Sequence, residues 1–577
     1  MHAEAFRGFV MKALMTFLMP CCFLGVCGVA QAQTPPATAP DNTSKLVTPP
    51  TATPEARPMT FGDTLTVPEP TATPDPRVVP ADPLTVPPPE ATPMPRVLPE
   101  PAAAPAKTGL PLTVSYKDGL TFSDADKNLE LKLNASGQFD ARSYYLDDSV
   151  APASFDMRRG RLSLSAKLYG FATLQVMGAF EDQPHLRSAT CDLKFHEALR
   201  LTVGQMKVPF STQWLTSDTN VDFLEYAGAE PIYTSIDRGV QVWGDLFGKR
   251  ITYTLGAFNG TGLDIDTNKG DIDNYKDVAG RLFLQPFKGL EINALEGLYL
   301  VGQGTYGRQS VPTRRYETRG LASADFASQV WRWRTEQTLG TDGRNTDQIA
   351  ARVDARSRWG AELHYLNGPF NLAVEWLHVR YEDIGIYHQY YSGAKRLKND
   401  LVLMQDGDID SITGTLSLFL TGEGKTLDNN GYKQPAPKAP FIGGDGMGAI
   451  ELLGRFTMTR TADDLFNTTK VTGYVAEDFG TKPPTIVGEG NSVTAAVLDG
   501  APKLYEASLG LNWTLSTNVR AMFTGTYLLA ANYKTDDNGV AANGLLSGGS
   551  SDLAYPLKKN RQIERELLVG ARLIFKI

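Results

Sequence analysis

Residues 161–168 read Arg-Leu-Ser-Leu-Ser-Ala-Lys-Leu, and this stretch decides the fold. Leu162, Leu164, Ala166 and Leu168 share one parity, and Arg161, Ser163, Ser165 and Lys167 share the other. A period of two is what a strand imposes, because successive side chains point to opposite faces. The far end of the chain repeats the pattern. Leu567, Val569, Ala571, Leu573, Phe575 and Ile577 lie on one face, opposed by Glu566, Gly570, Arg572 and Lys576. From about Ser115 onward the chain runs in segments of some ten residues separated by turns rich in Gly, Asn and Asp, giving about seventeen candidate strands between residues 130 and 577. Aromatic residues cluster near strand ends, as at Trp243, Tyr253, Trp359, Tyr365, Trp376 and Tyr381.

A length of 577 residues fits several ordinary domains or one large closed sheet. An all-β chain of this size is a soluble sandwich array, a propeller or a membrane barrel. A propeller carries a blade-length repeat, and none is visible. A membrane barrel calls for short alternating strands with one apolar and one polar wall, aromatic girdles and a secretory leader. All of these are present. Bacterial barrels favour even strand numbers, so the expected architecture is an all-β, antiparallel transmembrane barrel of sixteen strands, one fewer than the segments counted.

The rest of the chain is divided by composition. Arg7 and Lys12 precede an apolar run from Ala13 to Ala30 and the triplet Ala30-Gln31-Ala32, the layout of a secretory signal peptide over residues 1–32. Pro20 argues against a spanning helix there, and Val26 before Cys27 argues against a lipoprotein signal. Residues 33–111 hold 22 of the 37 prolines and are expected to be disordered, because they show no periodic apolar positions from which to build a core. Within them, LTVPEPTATPDPRVVPADP (65–83) is echoed by LTVPPPEATPMPRVLPEP (84–101). Two proline-rich copies read as a stiff periplasmic spacer, able to reach roughly 200 Å when extended, with the cell wall as a candidate partner. The barrel domain is then 112–577.

Composition excludes several functions. The net charge of −8 lacks the basic footprint of a nucleic-acid binder. Three of the four cysteines lie in the leader, leaving Cys191 alone in the body, so neither a disulfide framework nor a cysteine-rich zinc site fits. The six histidines show no metal-ligand spacing. Gly302-Gln303-Gly304-Thr305-Tyr306-Gly307 fits G-x-G-x-x-G, but no helical pattern follows, so a strand turn is the better reading. Asp264, Asp266 and Asn268 resemble the start of a calcium loop, except that Lys269 takes the glycine position and Tyr275 the place of the bidentate Glu. No nucleophile motif supports an enzyme, and no cofactor or metal is expected.

Several stretches resemble the phosphate-selective porin O and P family. They include GLTFSDADKNLELKLNASGQFD (119–140), MRRGRLSLSAKLYG (157–170), LRLTVGQMKVPFSTQWLTSDTNVDFLE (199–225) and DRGVQVWGDLFGKRITYTLGAFNG (237–260). LSLFLTGEGKTLDNNGYKQPAPKAPF (416–441), GMGAIELLGRF (446–456) and ASLGLNWTLSTNVRAMFTGTY (507–527) follow in the same order. The resemblance implies a sixteen-stranded outer-membrane channel, a homotrimer, passing small ions and hydrophilic solutes, phosphate or other anions among them. It also implies an external loop folded into the pore between Lys207 and Arg238.

That inserted segment departs from the family pattern. From Val208 to Asp237 it holds no Lys or Arg, but carries Asp218, Asp222, Glu225, Glu230 and Asp237. The acids either face the pore or tie the loop to the wall. Basic residues lie instead in alternating wall segments: Arg159 and Arg161; Arg332 and Arg334, interleaved with Trp331 and Trp333; and Arg352, Arg356 and Arg358. These either attract anions or pair with neighbouring carboxylates such as Asp354 and Glu362. Charge acts most strongly where water is scarcest, so the expectation is that the loop outweighs the wall and makes the channel weakly anion-selective or cation-preferring. A barrel serving as a structural tether to the cell wall is the competing reading, and a soluble secreted binding protein is a third.

Overall fold

The computed structural model describes residues 112–116, 119–145, 153–181, 184–229, 232–260, 262, 274–308, 331–333, 336–342, 345–392, 395–467, 469–477, 485–495, 497–531 and 565–577. The leader (1–32) and the proline-rich segment (33–111) lie outside the described residues.

Sixteen antiparallel strands make a closed barrel. They are β1 (Leu129–Tyr145), β2 (Ser154–Leu168), β3 (Ala172–Ala179), β4 (His185–His196), β5 (Leu199–Lys207), β6 (Ile236–Leu246), β7 (Ile251–Phe258) and β8 (Asp277–Leu284). They continue with β9 (Leu298–Arg308), β10 (Ala355–Asn367), β11 (Phe370–Ser392), β12 (Lys395–Phe419), β13 (Ala449–Thr461), β14 (Lys503–Thr514), β15 (Val519–Ala531) and β16 (Arg565–Lys576). Each pairs with its neighbours in this order, including β9 with β10 across the long connection. The sheet closes where β16 meets β1, in register from Leu567↔Tyr145 to Lys576↔Ser136. The Ile577 and Ala135 backbones complete the seam. Closure leaves no strand edge unpaired around the ring, the condition for crossing hydrocarbon, where no water can satisfy a free N–H or C=O. An N-terminal hairpin, Leu112–Tyr116 with Leu120–Asp124, adds to the start of β1.

The alternation of the sequence becomes the two walls of the barrel. Leu162 and Leu164 are 44 % and 49 % exposed on the outside, whereas Ser163 faces inward and is buried. In β16, Leu573 and Phe575 point outward, while Glu566 and Arg572 are buried in the lumen. On β11 the outward apolar run ends at Trp376. The next outward residues, His378 and Arg380, pair with Asp410 (2.9 Å) and Asp406 (2.5 Å), which marks the rim of the apolar band. Tight turns at 169–171, 197–198, 247–250, 368–369 and 515–518 lie at one end of the barrel, the periplasmic end by the usual outer-membrane pattern. The connections 285–297 and 420–448 lie at this end as well, and those at 208–235, 259–276, 309–354, 462–502 and 532–564 at the other.

Some wall assignments made from alternation are corrected. Trp331–Trp333, carrying Arg332, forms a two-stranded sheet with Leu498–Gly500 outside the sixteen-strand ring, and Arg334 lies outside the described residues. Arg352 ends an external hairpin, Glu336–Asp342 with Asn345–Arg352, that pairs with the upper part of β11, and its side chain is exposed. The reason is physical: an external hairpin with one covered face alternates as a membrane strand does, so parity carries no information about depth. Trp243 faces the lumen instead of the girdle, donating from Nε1 to Asp192 (3.1 Å) and Thr202 (3.0 Å).

The lumen is filled unevenly. Phe210, Ile232 and Tyr233 from the 208–235 connection pack with Leu377, Tyr381, Ile384, Ile409, Leu504, Leu528 and Leu568 from β11–β16. Leu465, Phe466, Val497 and Leu498 from the external connection join them. Each fully buried side chain of this kind contributes about 1.5–3 kcal/mol. This apolar core occupies the external mouth on the β11–β16 side and carries the inserted segment against that wall.

Candidate functional site: the constriction

The 208–235 segment enters the lumen at Ser211, whose backbone is left-handed (φ 62°). Ser211 caps the short helix α1 (Thr212–Leu215) and donates from Oγ to Glu375 Oε1 at 2.6 Å. Thr212 donates to Glu362 through its backbone N–H (2.9 Å) and its hydroxyl. Arg281 on β8 ties Glu362, Thr212 and Gln303 together. Glu362 and Glu375 sit opposite each other on β10 and β11, so two wall carboxylates receive the start of the segment.

Each described acid in the middle of the segment meets cations. Asp218 lies 3.4 Å from Arg187 and 3.7 Å from both Arg159 and Arg161. Burial raises its carboxyl pKa, but Arg159, Arg187, Lys207 and Arg161 more than reverse that and hold it well below the usual range. Glu225 is gripped by Arg142 and by Arg158 (3.1 Å), with Arg572 at 3.9 Å. Burial again opposes ionisation and loses to the surrounding arginines. Asp140 joins Arg142 (2.5 Å) and Arg572 (2.6 Å) behind this pair. Asp237 does other work: it accepts from the Arg238 and Gly260 backbone N–H groups, each at 2.7 Å, at the external start of β6. Glu230 lies outside the described residues.

The wall also holds the segment by its backbone. Gln138 donates to Asp218 O, Arg520 to Val221 O, Asn512 to Asp222 O, Arg455 to Glu225 O and Thr459 to Gly228 O, at 2.6–3.1 Å. Lys207 donates to the carbonyls of Trp214 (2.5 Å) and Thr216 (3.1 Å) at the end of α1.

A second insertion comes from the opposite rim. The 420–448 connection leaves the periplasmic end of β12, folds into a small hairpin (Thr426–Asp428 with Gly431–Lys433) and reaches the 208–235 segment. Lys425 Nζ bridges Asp222 and Glu451, each at 2.6 Å. Burial lowers the Lys425 pKa, but the Asp222 and Glu451 charges outweigh it and raise the value above normal. Tyr432 meets His364 Nδ1 at 2.6 Å, and its backbone N–H donates to Thr216 Oγ1 at 3.1 Å. Sequence reasoning missed this insertion. Its signal is length, since the other periplasmic connections are mostly tight turns.

The predicted wall arginines separate into two groups. Arg159 and Arg161 face Asp218 of the inserted segment, beside Arg187, with Arg158 on Glu225 and Lys207 on the end of α1. Arg161 also pairs with Glu181. Arg356 and Arg358 face inward on β10 but are only 3 % exposed, with Arg356 on Asp277 (2.8 Å) and Arg358 on Thr305 (3.4 Å).

The family model for "Phosphate-selective porin O and P" matches residues 130–548. No curated protein matches significantly. Among solved structures, a loop L8 deletion mutant of OmpT, an outer membrane protein of Vibrio cholerae, is 10 % identical with a TM-score of 0.40, covering 78 % of this chain and 100 % of its own. The outer membrane channel DcaP of Acinetobacter baumannii is 8 % identical (TM-score 0.40; 79 % and 99 % covered). OmpF of Salmonella typhi is 9 % identical (TM-score 0.38; 81 % and 100 % covered).

Proposed function

Since the chain belongs to the phosphate-selective porin O and P family, and is therefore an outer-membrane porin passing solutes, we propose that its pore prefers anions. The observation that carries this reading is the setting of Asp218, an inserted acid held by three guanidiniums, Arg159, Arg161 and Arg187. On that side Arg158, Arg159, Arg161, Arg187 and Lys207 outnumber Asp218, Glu225 and Glu181. Loop acids engaged in anchoring cannot dominate the field at the narrowest point, so the ranking expected from sequence is reversed. Fixed like charges in a confined, partly dehydrated passage attract the opposite ion over about a Debye length, roughly 8 Å at physiological salt. Phosphate, the solute in the family's description, belongs to the class that such a passage favours.

The zero-current potential across a bilayer holding the channel in a potassium chloride gradient tests this. The expected sign is that of chloride preference, and Arg187→Gln, which removes the most exposed of the three guanidiniums around Asp218, moves it toward potassium. A wild-type potential with the sign of potassium preference overturns the reading.

The same proposal takes the working unit as a homotrimer, and residues 33–111 as a periplasmic spacer whose cell-wall contact stands apart from conduction. Its support is topological: β1 begins at the rim of tight turns, so the chain preceding it emerges on the periplasmic side. Crosslinking in intact outer membranes checks both the subunit number and the cell-wall contact.

A further inference from the structure

A cavity of about 60 Å³ lies between the inserted segment and the inner faces of β11, β12 and β13, on the side of the lumen away from Arg159, Arg161 and Arg187. The apolar core around Phe210, Tyr233, Leu377 and Ile409 closes it toward the external mouth. Lys425 and Tyr432 of the second insertion line its periplasmic end. The arrangement is a recess beside the pore.

Two buried polar atoms in this recess have no partner among the described residues, and they are of opposite kind. Asn371 Oδ1 on β11 is an unused acceptor and Arg455 Nε on β13 an unused donor; their residues are 5 % and 7 % exposed. Charge follows the same polarity. Four residues along the same strand from Asn371 stands Glu375, which among the described residues accepts hydrogen bonds from neutral donors, Ser211, Gln213 and Tyr233. At the other end stand Arg455, whose guanidinium also pairs with Glu506 (2.7 Å), and Lys425, held by Asp222 and Glu451. Thr415 on β12 sits in register between Ala373 and Arg455, so a hydroxyl lies midway. Two strand spacings put the β11 and β13 backbones about 9.5 Å apart, and the side chains narrow that gap to the size of a small molecule.

We propose that this recess binds a small zwitterion of the amino-acid class, its ammonium group toward Glu375 and Asn371 and its carboxylate toward Arg455. A simple anion would meet Glu375 at one end and leave the Asn371 Oδ1 acceptor unpaired. A simple cation would face Arg455 and Lys425 and leave the Arg455 Nε–H unpaired, and an unmet buried donor is costly. A molecule carrying both charges satisfies both ends at once. The recess is lined by none of Arg159, Arg161 and Arg187, the guanidiniums on which the proposed anion preference rests.

Equilibrium dialysis of the purified, intact channel against glycine, β-alanine and γ-aminobutyrate tests the proposal, the three lengths serving as a ruler for the gap. At least one should bind saturably, one molecule per chain, while acetate and methylammonium each bind at least about tenfold more weakly, a factor worth about 1.4 kcal/mol. Asn371→Ala and Thr415→Val should each weaken the zwitterion several-fold, with heat-modifiable migration and the salt-gradient potential unchanged. Acetate or methylammonium binding as tightly as the best zwitterion, absence of saturation, or binding indifferent to both substitutions would each overturn it.

Discussion

Lys425, carried in from the periplasmic rim, holds Asp222 of the externally inserted segment at 2.6 Å, with Glu451 of the wall at the same distance on its other side. Two connections entering from opposite ends of the barrel are thus joined by one ammonium group near the middle of the lumen. Removing one partner of a buried pair leaves an uncompensated charge and typically costs about 3–5 kcal/mol. Lys425→Met is therefore expected to loosen both insertions. Single-channel records should show larger and more frequent current steps, and the folded band should convert to the unfolded one at a lower temperature. Unchanged traces and migration would mean that the rest of the loop anchoring suffices.

Asp218→Asn should increase chloride preference, because it frees Arg159, Arg161 and Arg187 from their shared carboxylate. A change of about twofold in the permeability ratio, equivalent to ~0.4 kcal/mol of barrier difference, is expected. Arg187→Gln should move the ratio in the opposite direction. If Asp218→Asn instead favours potassium, the acid's work is to hold the guanidiniums in place and not to screen them.

Gly431 has φ 105° and approaches α1 so closely that an added Cβ would lie 2.5 Å from Thr216 Cα. Gly431→Ala is expected to push the second insertion off the first and widen the passage. Higher conductance with normal assembly would agree; an unaltered conductance would place the narrowest point elsewhere.

The outer face of β16 gives a test of assembly. Phe575 is 41 % exposed on the lipid side and meets Phe139 edge-to-face, ring centroids 6.3 Å apart. Charge on a barrel's lipid face costs about 2–4 kcal/mol at mid-bilayer and less at the rim. Phe575→Asp should lower the yield of folded barrel more than Lys576→Asp does. Equal yields would count against the assignment of faces.

Deleting residues 33–111 should leave conductance and ion preference unchanged, since the deleted segment precedes a barrel that closes without it. Channel loss in a correctly inserted deletion variant would show that the segment reaches the lumen.

Much of the fold is written locally in the sequence. The parity of Leu162 and Arg161, or of Phe575 and Arg572, fixes which wall each residue joins, because in a barrel every strand faces lipid on one side and the lumen on the other. The placement of the inserted segment between β5 and β6 came from the resemblance to the porin family, not from the alternation. Depth was not readable. Arg332 and Arg352 alternate like pore residues but lie in external structure. The partners of the loop acids were out of reach as well. Asp222 finds Lys425 and Glu225 finds Arg572 only because closure of the ring brings distant strands together. A single chain records such pairings nowhere but in the fold.

Beside the ion pairs of Asp218, Asp222 and Glu225, five wall side chains take hold of peptide oxygens of the inserted segment. Gln138, Arg455, Thr459, Asn512 and Arg520 would find the same oxygen whatever residue stood at the gripped position. At those grips the seat is indifferent to the side chain of its occupant. Side chains at positions such as 219 and 221 can be exchanged while the path of the segment is kept, so this barrel is a frame into which different filters can be written without redrawing the frame.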